Sequence, residues 1–124
     1  MRDEKILLCR ISQKILEGGR WTLPGGGIDF GEHPERGVIR EVKEETGFDV
    51  RLDGLVKVDS EVFRHPDREA QAIRIVYRAT ITGGTLKHET DESTDRCDWF
   101  TRKEAMKLPL VSLARLGVRL AFSR

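Results

Sequence analysis

The 124-residue sequence has only two cysteines, four prolines and one tyrosine, and aromatic residues make up just 6% of it. Two cysteines are too few for the disulfide framework of a small secreted protein. Cys9 and Cys97 are therefore expected to be reduced core residues, with a disulfide between them as the alternative. No apolar run approaches the roughly 18 residues of a membrane-spanning helix, and the N-terminus has no signal-peptide pattern. These absences predict a cytoplasmic protein.

An excess of charge of one sign is missing as well, because 22 Lys and Arg residues nearly balance 21 Asp and Glu residues. The formal net charge of +1 provides no basic field that would attract nucleic acid. The length suits one domain with a core of its own. No linker, internal repeat or low-complexity tract divides the chain, so a single domain spanning residues 1–124 is expected.

What the sequence does contain is a glycine-rich turn followed by an acidic helix, in residues 24–48. Pro34 suits the first helical position, because its fixed φ is already helical and its missing N–H is not needed there. His33 is then the N-cap residue. Gly47 suits the position just past the C-terminus, where a left-handed conformation is common. These signals predict a helix over residues 34–46.

Three carboxylates share one face of this helix, since side chains three and four residues apart are neighbours: Glu41, Glu44 and Glu45. Like charges so placed are mildly destabilising, and only Arg40 is close enough to neutralise them. The pattern, with the Gly25–Gly27 loop before it, indicates a divalent cation and a diphosphate. A solvated helix face is the competing interpretation. The apolar residues of the adjoining arc are expected to face the core: Val38, Ile39 and Val42.

This stretch resembles the signature of the Nudix hydrolases. The signature places a glycine, a glutamate, an Arg-Glu pair, a Glu-Glu pair and a final Gly-apolar pair at fixed spacings. Every spacing is met, by Gly26, Glu32, Arg40, Glu41, Val42, Glu44, Glu45, Gly47 and Phe48.

The resemblance implies an α/β fold, a Nudix-type α/β/α sandwich with a mixed β-sheet. It also implies that Glu41, Glu44 and Glu45 hold Mg²⁺ or Mn²⁺ and that the carbonyl of Gly25 adds a ligand. The implied reaction is water attack on phosphorus in a nucleoside diphosphate linked to another moiety.

The resemblance also bears on the beginning of the chain. Residues 1–5 resemble the turn that follows the usual first strand of the family, so that strand is expected to be missing. Either the chain starts earlier than the given sequence, or another segment or subunit fills the sheet, or one edge is left open. An open sheet edge invites pairing with another chain, and a homodimer is the partner expected besides the small-molecule substrate.

The catalytic residues proposed on this basis are Glu41, Glu44, Arg40 and Glu92. Arg40 is expected to orient Glu44 or Glu32 by hydrogen bonding. The general base is either Glu41 itself or an acid in the loop before Trp99, and Glu92 is favoured. The other acids of that loop are Glu89, Asp91 and Asp95.

Three other functions compete with hydrolysis. A Nudix-like module could bind a nucleotide without cleaving it, although every carboxylate needed for the chemistry is present. An isomerase of prenyl diphosphates on the same fold needs a reactive cysteine or acid near the site, and Cys97 in a strand interior gives it little support. A structural cation-binding domain would bind metal without turnover.

Short strands are expected to complete the fold. Apolar patterns place them at residues 5–10, 21–23, 72–81 and 97–100, and residues 48–63 are expected to form two strands or one bent strand, broken at Asp53-Gly54. Residues 101–104 read as a capping box that opens a short helix. A C-terminal helix is expected over residues 110–122.

Overall fold

A computed structural model describes residues 1–12, 18–87 and 94–123. Within these ranges the chain forms five strands and three helices. In chain order they are β1 (Lys5–Ile11), β2 (Trp21–Thr22), α1 (Pro34–Thr46), β3 (Phe48–His65), β4 (Arg68–Gly84), β5 (Thr94–Thr101), α2 (Arg102–Ala105) and α3 (Ser112–Phe122).

Strand β1 is the centre of a three-stranded sheet in the order β2-β1-β5, and β3 pairs with β4 in a second sheet. All of these ladders between described strands are antiparallel. A single parallel bridge joins Trp21 to Leu110, just before α3. The first residues form the expected turn, with Asp3 and Glu4 at positive φ between the bridged residues Arg2 and Lys5.

Strand β1 has a core on each of its faces, because successive side chains of a strand point to opposite sides. Ile6 and Leu8 pack with Trp21 and with Ala114 and Val118 of α3. The intervening residues of β1 pack on the other side, in a cluster of Leu7, Cys9, Phe48 and Cys97. Both faces of β1 are thus covered, which explains its run of apolar residues.

Cys9 and Cys97 lie directly opposite each other in the register of β1 and β5, and a disulfide joins them. Both residues are buried, at 0% and 2% exposure. The expectation that they are reduced is therefore wrong. The pairing of two strands distant in sequence brings the two thiols together, and this pairing cannot be read from two isolated cysteines.

Helix α1 has the predicted bounds. The imidazole Nδ1 of His33 accepts a hydrogen bond from the backbone N–H of Glu35, and Gly47 ends the helix in the left-handed conformation at φ 85°. The expectation that Ile39 faces the core is wrong, since Ile39 is 37% exposed. The helix packs on β3 and β5, and Val38 and Val42 are half-buried.

Strands β3 and β4 form a long ribbon that turns at Pro66 and Asp67. Both strands are longer than predicted, because the pairing continues to the turn. One face of the ribbon carries exposed apolar side chains: Leu55, Val58, Val62 and Ile73. The alternate residues Asp59, Glu61 and Phe63 are half-buried.

No helix in the described residues is long and apolar enough to cross a membrane.

Candidate active site

Arg40 is the centre of an acidic cluster between α1 and the loop that precedes it. Its guanidinium donates two hydrogen bonds to Glu32, from Nε to Oε2 at 2.8 Å and from Nη2 to Oε1 at 3.0 Å. Its Nη1 donates to Glu41 Oε1 at 2.8 Å and to Glu44 Oε2 at 3.2 Å. Such forked contacts fix both partners in orientation. The predicted role of Arg40 beside Glu32 and Glu44 matches these contacts.

The charge of Arg40 affects the titration of its neighbours. Hydrogen bonds from the Arg40 side chain, and then from the backbone N–H of Asp29, lower the pKa of Glu32 to about 2. The same carboxylates, Glu32 first and Glu41 next, raise the pKa of Arg40. Glu32 is therefore ionised at neutral pH, and it ties the loop to the helix through the backbone N–H of Asp29 at 3.0 Å.

Glu45 is the buried carboxylate of α1, at 3% exposure. Its Oε1 accepts a hydrogen bond of 3.0 Å from the backbone N–H of Gly25. A buried carboxylate needs such partners, since an uncompensated buried charge is costly. The structure therefore places Glu45 beside Gly25, the residue whose carbonyl is the expected fourth ligand.

The glycine loop lies against the carboxylates closely enough that side chains there would collide with them. A Cβ built on Gly26 would lie 2.7 Å from Glu41 Oε2 and 2.8 Å from its Cδ. A Cβ on Gly37, in the middle of α1, would lie 3.0 Å from Glu32 Oε1. Glycine in a helix interior costs about 1 kcal/mol relative to alanine, and here it permits the loop to approach the helix.

The donor set fits a hard divalent cation. Asp29, Glu32, Glu41 and Glu44 all lie within 4.0 Å of the Arg40 guanidinium. Four carboxylates share one positive charge there, so the ion pairs among the described residues leave three negative charges unbalanced. Carboxylate oxygens are the ligands that Mg²⁺ and Mn²⁺ prefer. Within the described residues no three acidic, His or Cys side chains converge as a cation site, because Glu41 and Glu44 turn toward Arg40 while Glu45 turns toward Gly25.

The structure brings together most, but not all, of the predicted residues. Gly25, Arg40, Glu41, Glu44 and Glu45 all belong to this region. Glu92 lies outside the described residues, as do Glu89 and Asp91, so its role as a base stays a prediction. The fourth loop acid, Asp95, pairs with Arg10 at 2.7 Å.

Asp29 was not among the predicted site residues, although its carboxylate lies 3.5 Å from Arg40 Nη2. The signal was available in the sequence, because Asp29 is an acidic residue three positions before Glu32, in the loop that leads to the acidic helix.

Comparison with known proteins shows the family of the chain. A sequence profile of the NUDIX domain matches residues 1–119. The chain therefore belongs to the Nudix family. Among solved structures, the MutT Nudix hydrolase from Burkholderia pseudomallei superposes with a TM-score of 0.78 at 26% identity, covering 97% of this chain and 90% of that one. The α/β/α sandwich expected from the resemblance is confirmed.

Two relatives of the chain have names that state an activity. An ADP-ribose pyrophosphatase from Methanocaldococcus jannaschii is 38% identical over 92 residues, which are 73% of this chain and 52% of that protein. An NAD-capped RNA hydrolase from Pectobacterium carotovorum is 31% identical over 108 residues, 87% of this chain and 38% of the relative. The chain thus spans about half, or less, of the length of these relatives.

Proposed function

We propose that this chain is a single Nudix domain over residues 1–124 that hydrolyses a diphosphate linkage in a nucleoside diphosphate joined to another moiety, with Mg²⁺ or Mn²⁺. The observation that carries the proposal is the excess of negative charge around Arg40, beside a glycine loop that donates a backbone N–H to Glu45. Two matched relatives are named for ADP-ribose and NAD-capped RNA. ADP-ribose and NAD both contain a diphosphate next to a nucleoside.

In this proposal Glu41, Glu44 and Glu45, with the carbonyl of Gly25, hold the cation. When bound, such an ion neutralises phosphate oxygens and lowers the pKa of a coordinated water. Arg40 holds Glu41 and Glu44 beside the glycine loop, and both carboxylates would turn from its guanidinium toward the cation when it binds. Phosphoryl chemistry leaves little to the protein beyond such positioning and charge stabilisation.

The reaction breaks the bridging P–O bond. Water attacks one phosphorus, its proton passes to a carboxylate base, and the bridging oxygen leaves with the second phosphate product. One product is a nucleoside monophosphate. Glu92 is the base that we propose, with Glu41 as the alternative. Asp95 is less suited because its carboxylate is held by Arg10.

Substitution of the proposed ligands tests the function. Glu44→Gln and Glu45→Gln should each remove most Mg²⁺-dependent release of nucleoside monophosphate from ADP-ribose, NADH or a nucleoside triphosphate, while thermal unfolding stays close to wild type. Glu35→Gln is the matched control, because Glu35 is an exposed acid on the first turn of the same helix. Near-full activity in either ligand variant contradicts the ligand assignment.

A module that binds nucleotides without cleaving them is the second candidate. It predicts saturable binding of the same compounds with no product, even at high Mg²⁺. Product analysis of the wild-type protein separates the two functions, because hydrolysis releases a monophosphate and binding alone does not.

The proposal includes a homodimer and a cytoplasmic location. The exposed apolar side chains of the β3–β4 ribbon, among them Leu55 and Ile73, support self-association through that face. Sedimentation of the wild-type protein is compared with that of Ile73→Glu. The dimer is contradicted if both proteins sediment as monomers.

The Cys9–Cys97 disulfide bears on the location, because it argues against a reducing compartment. Thiol labelling of cells that are quenched in acid and then denatured decides this point, because unfolding exposes both buried cysteines. A fully labelled pair supports the cytoplasm, and an unlabelled pair contradicts it.

A further inference from the structure

A cleft of about 330 Å³ lies between the half-buried face of the β3–β4 ribbon, the end of β2 and the start of α3. This volume falls within the size range of small-molecule sites. The residues that line it include Arg20, Thr22, Glu61, Phe63, Arg74 and Ser112. The cleft thus combines an aromatic ring, two guanidinium groups, a carboxylate and two hydroxyls, whereas the acidic cluster on α1 offers mainly carboxylates.

Glu61 is held in this cleft by one of its two oxygens. Ser112 Oγ donates to Glu61 Oε2 at 2.6 Å, and Arg74 Nη1 donates to the same oxygen at 2.8 Å. The hydrogen bond from Ser112, and then that from Arg74, lowers the pKa of Glu61, so the carboxylate is ionised at neutral pH. Within the described part of the chain, Oε1 of Glu61 accepts no hydrogen bond. The anchored carboxylate therefore presents one free acceptor.

Phe63 and Arg20 add an aromatic ring and a positive charge to the cleft. The Arg74 guanidinium lies 5.4 Å from the centre of the Phe63 ring, which fixes the ring by a cation–π contact. An aromatic face can stack on a nucleobase of any kind. Arg20 makes no ion pair with another described residue, so its charge is available to a phosphate.

The cleft is also close to the acidic cluster along the chain. Thr22 lines the cleft, and Gly25 donates to Glu45 three residues later. Three residues of extended chain span at most about 11 Å. One ligand can therefore extend from the cleft to the glycine loop.

We propose that this cleft binds the nucleoside half of the substrate and that Glu61 is a specificity-determining residue, accepting a hydrogen bond from that nucleoside through Oε1. The inference rests on the proposed function for its substrate class. It does not rest on turnover, because the cleft and its polar groups exist without the cation. The nucleoside is recognised here by stacking on Phe63 and by donation to a carboxylate.

Binding without metal tests the proposal. The four common nucleoside 5′-monophosphates and ribose 5-phosphate are titrated separately into metal-free protein, with calorimetry as the readout. At least one nucleotide should bind about tenfold more tightly than ribose 5-phosphate. Glu61→Gln should remove about tenfold of that preference, because the amide keeps one oxygen for Ser112 and Arg74 but replaces Oε1 with a donor. Glu69→Gln is the matched control, since Glu69 lies on the same ribbon with its side chain 70% exposed.

The outcomes separate this inference from the proposed hydrolysis. Equal binding of all five ligands, no detectable binding, or an unchanged preference in Glu61→Gln overturns the inference, even if the protein hydrolyses diphosphates. A preference lost in Glu61→Gln and kept in Glu69→Gln supports it, even if no substrate is turned over. If Glu61→Gln does not fold, Phe63→Leu replaces it, and the same loss of preference is expected from the missing ring.

Discussion

Alanine at position 26 should reduce turnover much more than alanine at position 27. The added Cβ of Gly26→Ala would lie 2.7 Å from Glu41 Oε2, whereas ordinary contacts begin at 3.4 Å, so the carboxylate must retreat by about 0.7 Å. Misplacement of a catalytic group by 1 Å can cost about 10²-fold in rate. We therefore expect kcat/KM to fall by roughly 10- to 100-fold.

Stability should change little in the same variant. The colliding atoms belong to the end of a flexible side chain, and Gly26 does not have a positive φ. The free energy of unfolding is therefore expected to stay within about 1 kcal/mol of the wild type. Denaturant titration measures this term separately from turnover.

Gly27→Ala is the matched control, since a Cβ at Gly27 meets nothing within 4 Å. Initial rates at saturating Mg²⁺ with the best substrate of the panel are compared for the wild type and both variants. Gly27→Ala should stay near the wild-type rate. If both variants have the same kcat/KM, the position of the Glu41 carboxylate has no part in catalysis and the reasoning is refuted.

Three further predictions concern stability. Reduction of the Cys9–Cys97 disulfide, which joins residues 88 apart in sequence, should lower the free energy of unfolding by about 3 kcal/mol in a urea titration, and an unchanged midpoint contradicts this. Because the pKa of Glu32 is lowered in the folded protein, its contribution to the free energy of unfolding is present above pH 4.5 and is lost as the pH falls toward about 2. The unfolding free energy of Glu32→Gln should depend less on pH in that window, and equal slopes contradict the Arg40 contact. Thr101→Ala removes the cap acceptor for the Glu104 N–H and should cost about 1 kcal/mol, whereas an unchanged thermal midpoint rules out a stabilising cap.

Helix α1 could be predicted to the residue because its limits are set locally. Pro34 fixes the first turn through its own φ, and Gly47 supplies the left-handed end. The contacts of Arg40 were equally local, since its partner Glu44 is one turn away and Glu32 lies in the loop just before the helix. Neither required knowledge of the rest of the fold.

Features that depend on strands distant in sequence could not be predicted in this way. Cys9 meets Cys97 only because β1 pairs with β5. Alternation along β4 places Ile73 and Arg74 on opposite faces of the strand, but alternation alone does not show which face is covered. In the structure the apolar Ile73 is 59% exposed, while the Arg74 side chain is 17% exposed against Glu61 and Ser112.

The covered side of the ribbon is therefore the charged one, and the cleft that it forms was not found from the sequence. Apolar periodicity predicts burial only when a neighbour lies over that face. Here the beginning of α3 lies over the Arg74 side, as the contact between Arg74 and Ser112 shows. That placement is a property of the tertiary structure.

The central claim is that the carboxylates of α1 bind a divalent cation beside the glycine loop, and a crystal structure with Mn²⁺ tests it most directly. The account predicts an anomalous Mn²⁺ peak about 2.1 Å from oxygens of Glu41, Glu44 and Glu45. A well-occupied ion elsewhere, with Glu41 and Glu44 still on Arg40 and Glu45 still on the Gly25 N–H, would contradict it.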